Sequence, residues 1–178
     1  MPGFNIGGGG GGNEPSNVTE TRRKHRWLFQ VMGPVAQNAL LFLQKASRPN
    51  FKYEEAIMHH DQEQAYFAGK QSWDPITITF YDAEQNPNVS QEVFNWVTKV
   101  TTSGLQAGGG PVVVSPPNSY KAQQAQLSMT DGAGNPTELW TFNGVWPQQT
   151  NWMDLDYTNS EIQLVEIIMR YDRATKDQ

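Results

Sequence analysis

Apolar and polar positions alternate with a period of two along much of the chain, which is the signature of strands with one buried face. Trp27, Phe29 and Val31 fall on one side, Leu28, Gln30 and Met32 on the other. Leu40–Gln44 is a second apolar run. Lys52–His59 and Tyr66–Gln71 predict a long hairpin around a polar tip. Over Pro75–Tyr81, Ile76, Ile78 and Phe80 share one face and Thr77, Thr79 and Tyr81 the other. In Ala122–Thr130, Ala125, Leu127 and Met129 point inward, and Gln124, Gln126, Ser128 and Thr130 occupy the opposite face. The turn sequence DGAGNP joins this strand to Leu139–Trp146. A last strand over Glu161–Tyr171 sets Val165, Ile167, Met169 and Tyr171 against Leu164, Glu166, Ile168 and Arg170. The second of those faces mixes charge with aliphatics, as a surface partly covered by another subunit would.

One segment breaks the alternation. Val89, Val93, Trp96, Val97 and Val100 form a stripe at helical spacing. Asn88 can cap it, Gln91 stands in the capping-box position, and Gly104 is the expected stop. The Gly/Pro-rich stretch 104–119 reads as a surface or inter-subunit loop. The predicted fold is therefore mainly β: an antiparallel barrel or sandwich with one flanking α-helix and a long β-hairpin. No internal repeat is visible.

Composition adds boundaries. The 178 residues suit one domain on a norm of about 100–200 residues. We divide the chain into a Gly-rich arm over 1–20, holding Gly7–Gly12, and a β domain over 21–178. Six consecutive glycines lose too much backbone entropy to order alone, so the arm is expected to be flexible. The N-terminal MPGFNIGGGG has neither the basic start nor the apolar stretch of a secretory signal. The longest apolar run, Ala39–Leu43, is five residues, far below the ~20 that span a bilayer, so no membrane partner is expected. There are no cysteines, which removes disulfides and thiolate chemistry. Net charge is −5 but uneven: residues 1–50 hold six Lys/Arg against two Asp/Glu, and residues 51–178 hold seven against sixteen. We read the basic run Arg22, Arg23, Lys24 and Arg26 as meeting the acidic hairpin residues Glu54, Glu55, Asp61 and Glu63 of another copy. A net-negative chain makes that run weak support for a nucleic-acid reader.

Candidate chemistry is sparse. HHDQE, His59–Glu63, offers at most two ligands on one strand face and reads as a solvated hairpin tip. Glu54 and Glu55 split across two faces; Asp154 and Asp156 can share one, but no histidine or basic residue is near in sequence. A glycosidase would need two carboxylates facing across a cleft. A carbohydrate-binding sandwich would need tryptophans in an exposed row. No Gly-x-Ser-x-Gly is present. We therefore expect no catalytic residues, no metal and no cofactor.

Three stretches carry a family resemblance: RWLFQVMG; QNALLFLQKASRP followed by FKYEEAIMHHDQEQAYFAGKQSWDPITITFYDAE; and LSMTDGAGNPTELWTFNGVWPQQTNWMDLDYTNSEIQLVEIIMRYD. In the last, an Asp–Gly turn precedes a strand ending in the pair Trp146–Pro147, and EIQ opens the final strand. Their order over residues 26–172 resembles the tail-tube proteins of contractile-tailed bacteriophages. The resemblance implies a non-enzymatic subunit of a virion tail, assembled in the host cytoplasm. It implies self-association into hexameric rings stacked as a hollow tube that conducts DNA without gripping it. Sheath, baseplate and terminator proteins would be its partners. Gln124, Gln126, Ser128 and Thr130 are the expected lumen wall, since uncharged side chains offer phosphate no counterion release. A tube initiator or baseplate paralogue, and the tube of a type VI-like injection system, remain alternatives.

Overall fold

The computed structural model describes residues 23–32, 43–60, 63–84, 88–102, 112–158 and 160–177. Strand β1 is Trp27–Met32, β2 Leu43–Ala46, β3 Phe51–His60, β4 Glu63–Trp73 and β5 Ile76–Tyr81. Helix α1 (Val89–Thr98) follows, then the short strands β6 (Thr101–Thr102) and β7 (Val113–Val114) and a one-turn helix α2 (Pro117–Tyr120). The C-terminal part is β8 (Ala122–Thr130), β9 (Pro136–Trp152), β10 (Leu164–Arg170) and β11 (Arg173–Lys176). The main sheet runs β1-β8-β9-β10-β5-β2, with β11 also paired to β9. Every pairing is antiparallel, so the mainly β, antiparallel expectation is met.

β9 is 17 residues long and serves two ladders. Its first part pairs with β8 and β11, its last part with β10. At the changeover Gly144 has φ +65°, and a Cβ there would overlap the Asp172 carboxylate. Both halves of the sheet face one core. Phe29, Leu127 and Phe142 meet Ile78, Val165 and Ile167 there, with Val89, Val93 and Trp96 of α1 packed on. Burying side chains of this size stabilises by about 1.5–3 kcal/mol each.

The helix begins as its sequence prescribes. Asn88 Oδ1 accepts from the Gln91 amide at 2.7 Å. The Gln91 side chain donates to Asn95 instead of reaching back, so only half of the capping box forms. α1 stops at Thr98 rather than near Gly104, because the β-branched Val100, Thr101 and Thr102 favour extended backbone and Thr101–Thr102 pairs with Val113–Val114. Gly104 lies outside the described residues, as do the arm over 1–20 and Leu40–Phe42 of the second apolar run.

Three other expectations are revised. The strand that was to end at Trp146–Pro147 continues to Trp152. Pro147 sits opposite Met169 at a register shift, a place where the missing N–H disturbs the ladder least. The last long strand starts at Leu164, not Glu161, because its partner β9 ends at Trp152, opposite Val165. Beyond it, Arg173–Lys176 forms a further strand on β9.

Candidate functional site

β3 and β4 form a two-stranded sheet of their own. The hairpin runs from Phe51 paired with Trp73 at its root to His60 paired with Glu63 at its tip. A register shift after Tyr53 brings Gly69 so close to the Glu54 backbone that a Cβ would sit 2.9 Å from its carbonyl oxygen. Phe51, Tyr53, Ile57, Met58, Tyr66 and Phe67 are all 47–63% exposed. Ile57 and Met58 are adjacent in sequence, so both faces of the hairpin present apolar groups to solvent. Inside the chain the hairpin is anchored mainly at its root. There Phe51 packs edge-on against Trp73, whose ring lies 5.9 Å from that of Tyr171.

Edges are the second feature. Among the described residues β1 pairs only with β8 and β2 only with β5, leaving one side of each strand without a backbone partner. Leu28 on β1 is mostly exposed. Val112, Val113 and Val114 are exposed as well, on the short ribbon that follows the helix.

The four β8 residues Gln124, Gln126, Ser128 and Thr130 lie on the face turned away from the core and are half-buried, while Ala125, Leu127 and Met129 are buried. Their neighbours across β1 are Met32, Gln30 and Leu28, and across β9 Asn143, Thr141 and Leu139. β1, β8 and β9 contribute no charged side chain to this face, but Arg173 stands opposite Asn143 and the Thr141 hydroxyl donates to the Asp177 carboxylate at 2.8 Å. Of the basic run, Arg23 and Lys24 are exposed, and the Arg26 guanidinium lies over Gly132 at the β8–β9 turn. Of the acidic set, Glu54, Glu55 and Glu63 are exposed on the hairpin. Arg22 and Asp61 lie outside the described residues. Among the described residues the basic and acidic sets form no ion pair with each other within one chain; Lys121 is bridged to Asp172 at 2.8 Å.

Possible chemistry remains thin. Among the described residues no three His, Asp or Glu side chains gather as a metal site. Asp156 accepts from the backbone amide and hydroxyl of Thr158, and these bonds hold its carboxyl below the usual range. The side chain and backbone of Asn135 do the same for Asp131 in the DGAGNP turn, where Gly134 takes φ +89°. Of the six tryptophans, Trp96 is buried, Trp27, Trp73, Trp140 and Trp146 are half-buried, and Trp152 alone is exposed. They do not make an exposed row. Trp140 is tied within its own chain: its indole N–H donates to Glu138 at 2.6 Å and the Lys176 ammonium lies 5.8 Å from its ring.

One feature was invisible from sequence. Segments far apart in the chain assemble a cleft of about 500 Å³ lined by Gln71, Trp73, Tyr120, Trp146, Arg170 and Tyr171, among others. Tyr171 is 4% exposed and its hydroxyl has no hydrogen-bond partner among the described residues. Burial, followed by the nearby Asp74 carboxylate, pushes its pKa up to about 12.

These features belong to a fold found in the contractile injection machines. A chain in the baseplate structure of the anti-feeding prophage superposes with a TM-score of 0.67 over 89% of this chain and 97% of its own, at 12% identity. A chain from the sheath/tube terminator of an extracellular contractile injection system in its extended state gives 0.65 over 90% and 99%, at 17% identity. In sequence, the chain resembles the tail tube protein of Serratia phage KSP90, at 23% identity over 167 residues, 88% of this chain and 89% of that protein. No family model matches.

Proposed function

We propose that this chain is a structural subunit of a contractile tail or a related injection machine, one that builds the inner tube by self-association. The observation that carries the reading is the β3–β4 hairpin, whose large apolar side chains are about half exposed on both faces. An isolated two-stranded hairpin is marginal in water. Covering six such side chains further would add on the order of 1 kcal/mol each. The likeness to a phage tail tube protein and to chains of injection machines supports a second copy as the cover.

In this reading copies close into hexameric rings through the open edges of β1 and β2, and the rings stack. Gln124, Gln126, Ser128 and Thr130 line the bore, where uncharged side chains offer phosphate no counterion release and let DNA pass without being gripped. Arg22, Arg23, Lys24 and Arg26 approach Glu54, Glu55, Asp61 and Glu63 of a neighbouring copy. Sheath, baseplate and terminator proteins are the outer and terminal partners, the virion tail is the location, and assembly takes place in the host cytoplasm. The subunit performs no catalytic step. Negative-stain microscopy of concentrated protein tests this: hollow rods or rings are expected, and a monomer at every concentration overturns it.

A further inference from the structure

Two surface features stand at opposite ends of the β9–β10 ladder. At one end, the loop between these strands pushes large apolar side chains into solvent: Leu155 is 86% exposed, Ile162 68%, and Tyr157 wholly exposed. Asp154, Asp156 and Glu161 stand among them, and no Lys or Arg occurs from Met153 to Leu164. At the other end lies the aromatic cleft. Its walls are Trp73, Tyr120 and Trp146, with the Tyr120 and Trp146 rings edge-on at 6.0 Å. Arg170, the ladder partner of Trp146, lines it and forms no ion pair among the described residues. Tyr171 also lines the cleft, with its buried hydroxyl unpartnered.

Loop and cleft are complementary. The loop is apolar and anionic; the cleft is aromatic, carries the Arg170 guanidinium beside the Lys121–Asp172 ion pair, and holds the Tyr171 hydroxyl, which has no partner among the described residues. They cannot meet within one chain. The loop end of the ladder is the pair Trp152–Val165 and the cleft end the pair Trp146–Arg170, about 20 Å apart at roughly 3.3 Å per residue. Two copies placed head to tail can meet.

We propose that Leu155, Tyr157 and Ile162 of one copy's β9–β10 loop dock in the Trp146–Arg170 cleft of the next, with Leu155 against the aromatic walls and the Asp154 carboxylate facing Arg170. The contact is heterologous, so it repeats from copy to copy. It deepens the tube reading and rests on it for the identity of the occupant. Pairing of β1 and β2 edges extends the assembly across the strands; loop-in-cleft docking extends it along them. The second therefore joins one ring to the next. The hairpin leaves the chain at the cleft, through Gln71 and Trp73, and so flanks the same joint.

The absence of cysteine allows a direct test. Copies carrying Leu155→Cys and copies carrying Gln71→Cys are mixed and treated with a short bismaleimide. A mixed dimer is expected at roughly tenfold the yield of either homodimer. Arg170→Glu in the Gln71→Cys copy should lower that yield about tenfold, and Asp154→Arg in the Leu155→Cys copy should restore it. Homodimers only, no cross-link, or a yield indifferent to these charges overturns the contact. Microscopy of the untreated wild-type protein separates the two ideas. Hollow rods without the mixed cross-link overturn the docking and leave the tube reading standing. A charge-sensitive mixed cross-link without hollow rods supports the docking and overturns the tube. Neither result overturns both.

Discussion

Strands β10 and β3 are both rich in apolar residues and both pair antiparallel, yet they meet different surroundings. In β10 every second side chain is buried, from Val165 through Ile167 to Met169. In β3, Phe51, Tyr53, Ile57 and Met58 are about half exposed, and no residue with a described burial is buried. Backbone pairing already separates them: β10 is bonded on both sides, to β5 and β9, whereas among the described residues β3 is bonded on one side only, to β4. What lies across the side chains differs as well: β10 faces the shared core, whereas β3 faces solvent. An apolar strand that the chain itself leaves uncovered is a surface waiting for a partner.

This comparison can be broken by substitution, and the largest effect belongs to the core. Phe142→Ala, at a fully buried site beside Tyr171, should destabilise the monomer by about 3–5 kcal/mol in a denaturant titration. A cost below about 1 kcal/mol would mean the two halves do not share one core.

Gly144→Ala comes next. The positive φ and the Asp172 carboxylate both oppose a Cβ, and the left-handed strain alone costs about 1–3 kcal/mol. An unchanged melting temperature would remove Gly144 as the joint between the two ladders.

Tyr171→Phe has a smaller effect of opposite sign. Removing an unpartnered buried hydroxyl should stabilise the monomer by about 1 kcal/mol. The wild-type contribution also depends on pH. With the folded pKa raised to about 12 from an ordinary value of 10, the neutral phenol is favoured in the folded state. Stability from this group is fully present below pH 10 and is lost as pH rises through about 12. Melting temperatures of both proteins between pH 8 and 12, with Tyr171→Phe lacking that share of the alkaline loss, check the sign.

How much of this was legible in the sequence follows from how burial is distributed. β5, β8, β10 and α1 could be read because each buries one face or stripe, which leaves a period of 2 or 3.6 in the residues. β11 could not: in Arg173–Lys176 only Ala174 is apolar, so its pairing with β9 leaves no period. Pro147 hid the full length of β9, because a proline usually ends a strand and here occupies a register shift. The hairpin was legible as a hairpin, but not its nakedness, since the pattern of a strand says nothing about whether anything covers it. The aromatic cleft gathers residues from around positions 71, 120, 146 and 170, and only the tertiary fold brings those together.

The central claim is that another copy covers the hairpin, and hydrogen exchange resolved by residue tests it most directly. In dilute monomer, amides of Phe51–His60 and Glu63–Trp73 should exchange by local opening, well before those of β8 and β10. On concentration into the assembled state, hairpin amides should slow by about 100-fold or more while the already protected β8 and β10 change far less. Hairpin amides that are equally protected, or equally unprotected, at both concentrations would contradict the account.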